Sequence, residues 1–500
     1  MRALALAALC LPGTVAGQGI VTSPAPDTVA VTVYRDPDRT RAAGIDLDRL
    51  GGFALVTETR RVRLPRGRAT IRFEGVAEGI VPVSAIVDGL PGGTAEKNRD
   101  ARLLSPASLV DGTLGRVVTL TRTDRATGRV RSEEATIVAG PLPGVVLRTA
   151  AGIEMLGCAG LPEKLSYGAV PPGLSAKPVL SVTTDTPIAR TATVTLSYLA
   201  SGFDWSASYV ATLAPDGRTL DLFAWLTLAN ANPQAFPAAR VQAVAGRLNR
   251  SGFDEVIRLA GELRLTCYPL GTTTSDLRER RFEQGLERRD EASYDSDIVV
   301  TASRAVAAPA LAEAPPPPED LGDLKLYRVP ERVTVAPHAQ KQVALLARAA
   351  VPFERRYRLR IQPGRPLTVE PTDIVLVLRN TQAGGLGLAL PTGSTALYAD
   401  HTGSRLLLGT GALADRAAGE TIRLSAGRSR QVLIDHRVGR HEATLTATNA
   451  NLVPVTLELP IGEAGRDIDA TGTPLPRADG VATWTVTLPP NGRAELTYRF

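Results

Sequence analysis

Residues 191–250 change character at every second position. Thr193, Thr195 and Ser197 interleave with Val194, Leu196 and Tyr198, and the same period returns at Leu220, Leu222, Ala224, Leu226 and Leu228. In an extended chain successive side chains point to opposite faces, so this spacing dictates strands with one apolar side. The two runs flank Pro215-Asp216-Gly217, where Asp and Gly tolerate the positive φ of a tight turn, and predict a hairpin. Asn230, Asn232 and Pro233 break the pattern, and it resumes from Arg240 to Ala245. Two of the chain's three tryptophans, Trp205 and Trp225, lie here beside Tyr198, Phe203, Tyr209 and Phe223. Aromatics are only 4% of the sequence, so this concentration marks the centre of a core.

The alternation extends along the chain without any long apolar stretch of helical period. With 46 Gly and 37 Pro punctuating 500 residues, it predicts an all-β protein of several domains. Residues 18–95 read as an N-terminal β-sandwich, with a second hairpin pairing 54–64 with 68–73 around Pro65-Arg66-Gly67. Residues 100–168 carry short strands between tight turns and read as a small SH3-like β-barrel. Residues 176–270 and 326–368 read as a central β-sandwich around the tryptophan-bearing hairpin. Residues 370–500 hold ten strand candidates, among them 386–390, 421–424 and 430–434, and read as a C-terminal β-sandwich. Residues 271–325 read as a disordered linker or insertion. Dense mixed charge around Leu277, Phe282 and Leu286 fits one short helix there, followed by Ala-rich text and Pro315-Pro316-Pro317-Pro318. Too little apolar surface is present to offset the entropy of ordering it.

At the N-terminus Arg2 precedes the apolar run ALALAALCL and a zone of small residues. This is the pattern of a secretory signal peptide over residues 1–17, cleaved near residues 16–18, and predicts a periplasmic or secreted protein. The run is too short to span a bilayer, and no other stretch could, so no transmembrane segment is expected after its removal. Leu9 stands before Cys10 where a lipoprotein needs a small residue. Cys158 and Cys267 then remain as a candidate disulfide in an oxidising compartment, with two separately buried thiols as the alternative. The net charge is +6, carried almost wholly by arginine. The arginines are scattered among acids without stacking aromatics, which argues against nucleic acid as a partner.

The text SYLASGFDWSASYVATLAPDGRTLDLFAWLTLAN, the following FPAARVQAVAGRLNR, and GLGLALPTGSTALYADHTGSRLLLGTGAL resemble the bacterial domain of unknown function numbered 4139. The start, VTVYRD with ALVTETRRVRLPRGRATIRFEGV, is similar to the N-terminal domain of the related mucoidy-inhibitor family. The resemblance implies an envelope protein and assigns no catalytic residue. The long coiled-coil helices of many mucoidy-inhibitor relatives have no counterpart here.

Motifs for chemistry are sparse. The histidines are His338, His401, His436 and His441, with acids beside them at Asp400, Asp435 and Glu442. No His-Glu-x-x-His or Cys-x-x-Cys spacing occurs, so neither a metal site nor a cofactor is expected. Ser201-Gly202 and Asp204 are close in sequence, but no Gly-x-Ser-x-Gly elbow surrounds them and they read as a turn. Gly384-Gly385-Leu386-Gly387 leads into Leu388 and Leu390, read as strand with a bulge or close approach. Glu133-Glu134 reads as a solvated turn. The leading expectation is a non-enzymatic β-rich binding or scaffold protein whose partner is another envelope protein or polymer, its oligomeric state left open. A second is an envelope hydrolase of glycans or peptides, which needs paired carboxylates in a cleft, or His436 beside an acid and a serine. A third rests on Asp297-Ile298-Val299-Val300-Thr301-Ala302, which resembles the TonB box of outer-membrane receptors and suits strand addition to a transport partner. Val299→Pro abolishes partner capture on that reading.

Overall fold

The computed structural model describes residues 19–40, 44–99, 102–124, 126–140, 144–157, 162–171, 174, 175, 177–246, 316–470 and 472–500. Strands make up 61% and helix 3%, so the chain is all-β, built from several sheets. The expected signal peptide, Cys158, Cys267, the hexamer 297–302 and the expected linker up to residue 315 lie outside the described residues. Within the rest of that linker, residues 316–325, the chain already forms strand. Glu319–Leu321 pairs with Leu324–Arg328 around Gly322 (φ +61°), and Arg328 holds Glu319 across the turn.

The chain forms two compact units, one from Met1–Thr28, Thr57–Leu199 and Ser251–Arg304, the other from Val29–Val56, Ala200–Arg250 and Ala305–Phe500. The run expected as one central sandwich therefore contributes strands to both.

In the first unit, one sheet runs in the order Gly19–Ser23, Gly67–Glu74, Val179–Thr186, Glu96–Arg99. The strand Phe53–Leu64 instead neighbours Arg190–Ser201, which pairs with Ile86–Asp88. The hairpin expected between 54–64 and 68–73 is therefore an arch: its two strands belong to different sheets. The reason is visible in the burial. Val62 and Leu64 on one strand and Ala69, Ile71 and Phe73 on the other all need covering, which two facing sheets supply and a flat hairpin does not. The left-handed Gly67 (φ +90°) makes the reversal.

The expected small barrel is an open five-stranded meander. Its order is Gly152–Met155, Val146–Thr149, Val130–Ala139, Val117–Thr123, Glu163–Ser166, and the end strands are not joined to each other. A short helix, Pro106–Gly112, covers the apolar face instead, placing Val110 among Val118, Leu120, Ile137 and Leu147. Its start was legible: Ser105 accepts from the Ser108 amide, Ser108 accepts from the Ser105 amide, and Pro106 opens the first turn. Glu133, expected in a solvated turn, lies on the 130–139 strand and pairs with Arg122 at 2.9 Å.

In the second unit, Phe203–Leu213 and Thr219–Asn230 form a hairpin around the expected Asp-Gly turn, but the run Thr193–Tyr198, read as its first strand, lies on Arg190–Ser201 in another sheet. Asp216 accepts from the Arg218 and Thr219 amides and Gly217 has φ +64°. Trp205 is fully buried and donates to the Val244 carbonyl at 3.0 Å. This hairpin continues into a five-stranded sheet, in the order Ala339–Pro352, Thr219–Asn230, Phe203–Leu213, Gly393–His401, Ser404–Leu413. Strands 393–401 and 404–413 were expected in the C-terminal sandwich. Gly393 permits their transfer, since a Cβ there would lie 2.2 Å from the Ala207 carbonyl oxygen.

The last sheet has nine strands, in the order Asp469–Ala470, Arg493–Arg499, Glu442–Asn449, Thr421–Val438, Leu367–Arg379, Glu354–Arg358, Val455–Pro460, Val481–Leu488, Arg477–Ala478. Leu445 and Leu496 near one end share a core with Leu457 and Trp484 near the other, so the sheet is folded over on itself as a sandwich. Residues 421–424 and 430–434, read as two strands, belong to one long strand whose pairing with 367–379 shifts register three times. Residues 386–390 are not a strand. Asn380 accepts from the Gly387 and Leu388 amides and donates to the Leu388 and Ala417 carbonyls, so its side chain takes the place of a strand partner. Gly385 and Gly387, both at positive φ, let the chain close around it.

Candidate functional site

The residues singled out from sequence are mostly held in structural bonds. His436 is buried; its Nδ1 lies 2.7 Å from the Arg365 carbonyl oxygen and its Nε2 2.9 Å from the Tyr498 hydroxyl. A carbonyl only accepts, so Nδ1 carries the proton and Nε2 accepts from Tyr498. Burial pushes His436 below its ordinary pKa, against the carbonyl, which raises it; the ring is neutral. Neighbouring Asp435 accepts from the Val369 amide. The arrangement of a histidine beside an acid and a serine is not what surrounds His436.

Asp204 is equally occupied. It accepts from the Asp36 and Trp205 amides and pairs with Arg39 at 3.1 Å, fastening the 35–39 loop. Burial raises its pKa, with Arg39 and the two amides opposing. In the meander, Arg122 gathers Glu133, Glu154 and Glu163 at 2.9, 2.5 and 2.7 Å, and Glu163 also accepts from the Gly157 amide. Among the described residues, no cluster of three or more His, Cys, Asp or Glu is arranged to hold a metal ion.

The open chemistry lies in the folded-over sheet. Strands Glu354–Arg358 and Val455–Pro460 run parallel, and their last contact is the bridge between Ile361 and Ile461, both fully buried. Beyond it each chain leaves the sheet through a glycine turn. One is Gln362-Pro363-Gly364-Arg365, where the Arg365 amide donates to the Gln362 carbonyl. The other is Gly462-Glu463-Ala464-Gly465-Arg466, where the Arg466 amide donates to Glu463 and both glycines have positive φ. Between these turns is a cleft of 480 Å³ lined by Arg360, Gln362, Pro363, Gly364, Arg365, Gly462, Glu463 and Arg466.

Its electrostatics are unbalanced. Among the described residues, Arg360 reaches only the Gly462 carbonyl, at 3.4 Å. Arg466 lies 6.0 Å over the Phe500 ring. Among the described residues, none of Arg360, Arg365 and Arg466 makes an ion pair, and all three are exposed. A second cleft of 300 Å³ on the same sheet is the opposite case. Glu458, 2% exposed, takes Arg356 at 2.7 Å, Arg358 at 3.0 Å and Arg423 at 3.8 Å. Arg356 also holds Glu354, and Arg423 holds Asp479. Burial alone would raise the Glu458 pKa; the bonds from Arg356 and Arg358 and the Arg423 charge outweigh it and hold the carboxylate low.

Sequence reading passed over these arginines as scattered surface charge. The available signal was two strand ends, each followed by a glycine turn ending in arginine: IQPGR and IGEAGR. No protein-family model matches the chain, and no curated protein matches it. No helix among the described residues is long and apolar enough to cross a membrane.

Proposed function

We propose that this chain is an exported, non-enzymatic binding or scaffold protein of the cell envelope, working in the periplasm or outside the cell. Membership of the family that its sequence resembles is part of the same proposal. The observation that carries it is the arginine cleft beyond Ile361 and Ile461, where three exposed guanidiniums have no carboxylate partner among the described residues. Permanently charged forks held open in this way bind and orient anions; they do not abstract protons or attack carbonyls. The all-β framework suits the role, since two rigid strands set the spacing of the turns.

Crosslinking of the full chain in cells, followed by partner identification, tests the reading. The expected result is a specific envelope protein or polymer whose capture falls in the Arg365→Gln and Arg466→Gln variants. Hydrolysis of a cell-wall glycan or peptide by the purified protein, with no specific partner recovered, overturns it.

A further inference from the structure

We infer that the cleft between the 362–365 and 462–466 turns is a binding site for a phosphoryl group. This rests on reading the cleft as the ligand-facing site and goes on to name what the ligand carries.

Three arginines line the cleft from two separate pieces of chain. Arg360 comes from just beyond the 354–358 strand, Arg365 from the Pro363-Gly364 turn and Arg466 from the Gly462–Gly465 turn. Three arginines in one lining suit a group presenting oxygens in several directions, because each planar fork can take its own edge. The charge count points the same way. Among the described residues Glu463 is the one carboxylate in the lining, so three arginines leave a formal excess of two positive charges. A phosphate monoester carries about −1.5 to −2 near neutral pH and cancels that excess. A carboxylate brings one charge and leaves the other unbalanced.

The neighbouring cleft makes the contrast specific. There, Arg356, Arg358 and Arg423 already converge on an oxyanion, the carboxylate of Glu458. At the strand ends Arg360, Arg365 and Arg466 share a lining with Glu463, but among the described residues none of them is ion-paired. Among the described residues the lining holds no aromatic ring on which a base could stack, so the phosphoryl group itself is the recognised part. The cleft volume, 480 Å³, exceeds what a phosphoryl group fills and leaves room for the molecule bearing it.

The test is calorimetric titration of the full chain with inorganic phosphate near neutral pH and at low ionic strength, where screening is weakest. Acetate at matched ionic strength is the comparison. The expected result is phosphate binding at least about tenfold tighter than acetate. Arg365→Gln and Arg466→Gln should each weaken phosphate by about tenfold without changing the thermal midpoint. Glu463→Gln should tighten it, a gain that misfolding cannot produce. Phosphate binding no tighter than acetate, or unaffected by the two arginine changes, overturns the assignment.

Two sources of the group are then separated by competition. Phosphate-reversible capture on phosphatidylcholine vesicles doped with phosphatidic acid supports a lipid headgroup. Competition by glycerol 3-phosphate without vesicle capture supports a soluble ligand. Failure of phosphate to bind while crosslinking still captures an envelope partner removes the phosphoryl group and leaves the binding reading intact. Phosphate binding without any envelope partner does the reverse.

Discussion

Two arginine sites, one in each unit, show how the same side chain serves opposite ends. In the first unit Arg60 is fully buried with Glu58 on the 53–64 strand, both on the face that carries Val62 and Leu64. Arg60 Nε and Nη2 donate to Glu58 at 2.9 and 2.6 Å; Nη1 and Nη2 also donate to the Ser23 and Glu74 carbonyls. The Tyr198 hydroxyl donates to Glu58 and accepts from the Ala77 amide. Every nitrogen of the guanidinium is engaged, and its plane lies 5.7 Å over Phe73, stitching facing sheets together. In the second unit Arg365 and Arg466 are exposed at a cleft and, among the described residues, make no ion pair. Burial forces a charge to be fully paired at the time of folding, because desolvation without a partner is prohibitive. Exposure lets the pairing wait for a ligand.

The largest expected effect breaks the closed case. Arg60→Met leaves Glu58 buried without its cation and should cost about 3–5 kcal/mol in chemical denaturation. A loss below about 1 kcal/mol would mean that the pair is not buried as described. Glu458→Gln is intermediate, since its arginines are partly exposed and can turn to water. It should cost about 1.5–3 kcal/mol, read as a shift in the denaturation midpoint. The same change should also create weak phosphate binding in the 300 Å³ cleft, turning a closed site into an open one.

His436 sharpens the comparison through pH. Its folded pKa lies below its unfolded value, so the unfolded chain takes up the proton first as pH falls. The stability it contributes is complete above about pH 6.5 and is lost as pH falls from there towards the folded pKa. Denaturation at neutral and mildly acidic pH should show that loss in the parent and less of it in His436→Gln. The smallest effect belongs to the open site. Arg466→Gln should change stability by no more than about 0.5 kcal/mol while weakening phosphate. A large stability loss there would show that the guanidinium serves the fold.

Much of the local structure was written in the alternation. Period two marks residues that face a core wherever strands pair, so the 219–230 strand, the Asp-Gly turn before it and the buried Trp205 were readable, while the strand that pairs across the turn is 203–213 and not the run at 193–198. The hairpin expected at 54–73 failed for the complementary reason: adjacent strands with equal apolar faces satisfy them either by pairing or by facing each other. Only packing chooses, and here it chose facing. The helix at 106–112 was signalled by Ser105-Pro106 and Ser108 but is too short for its period to register.

From the residues alone, then, came the strands, their inward faces and the turns that end them, because these depend on neighbours a few positions apart. Which strands share a sheet, and that Arg360, Arg365 and Arg466 meet at one cleft, came from the tertiary structure. Arg360 and Arg466 are remote in sequence, and only the parallel pairing that ends at Ile361 and Ile461 brings their turns together. Local pattern sets what a segment can become; long-range pairing sets what it stands beside, and a binding site is made of the latter.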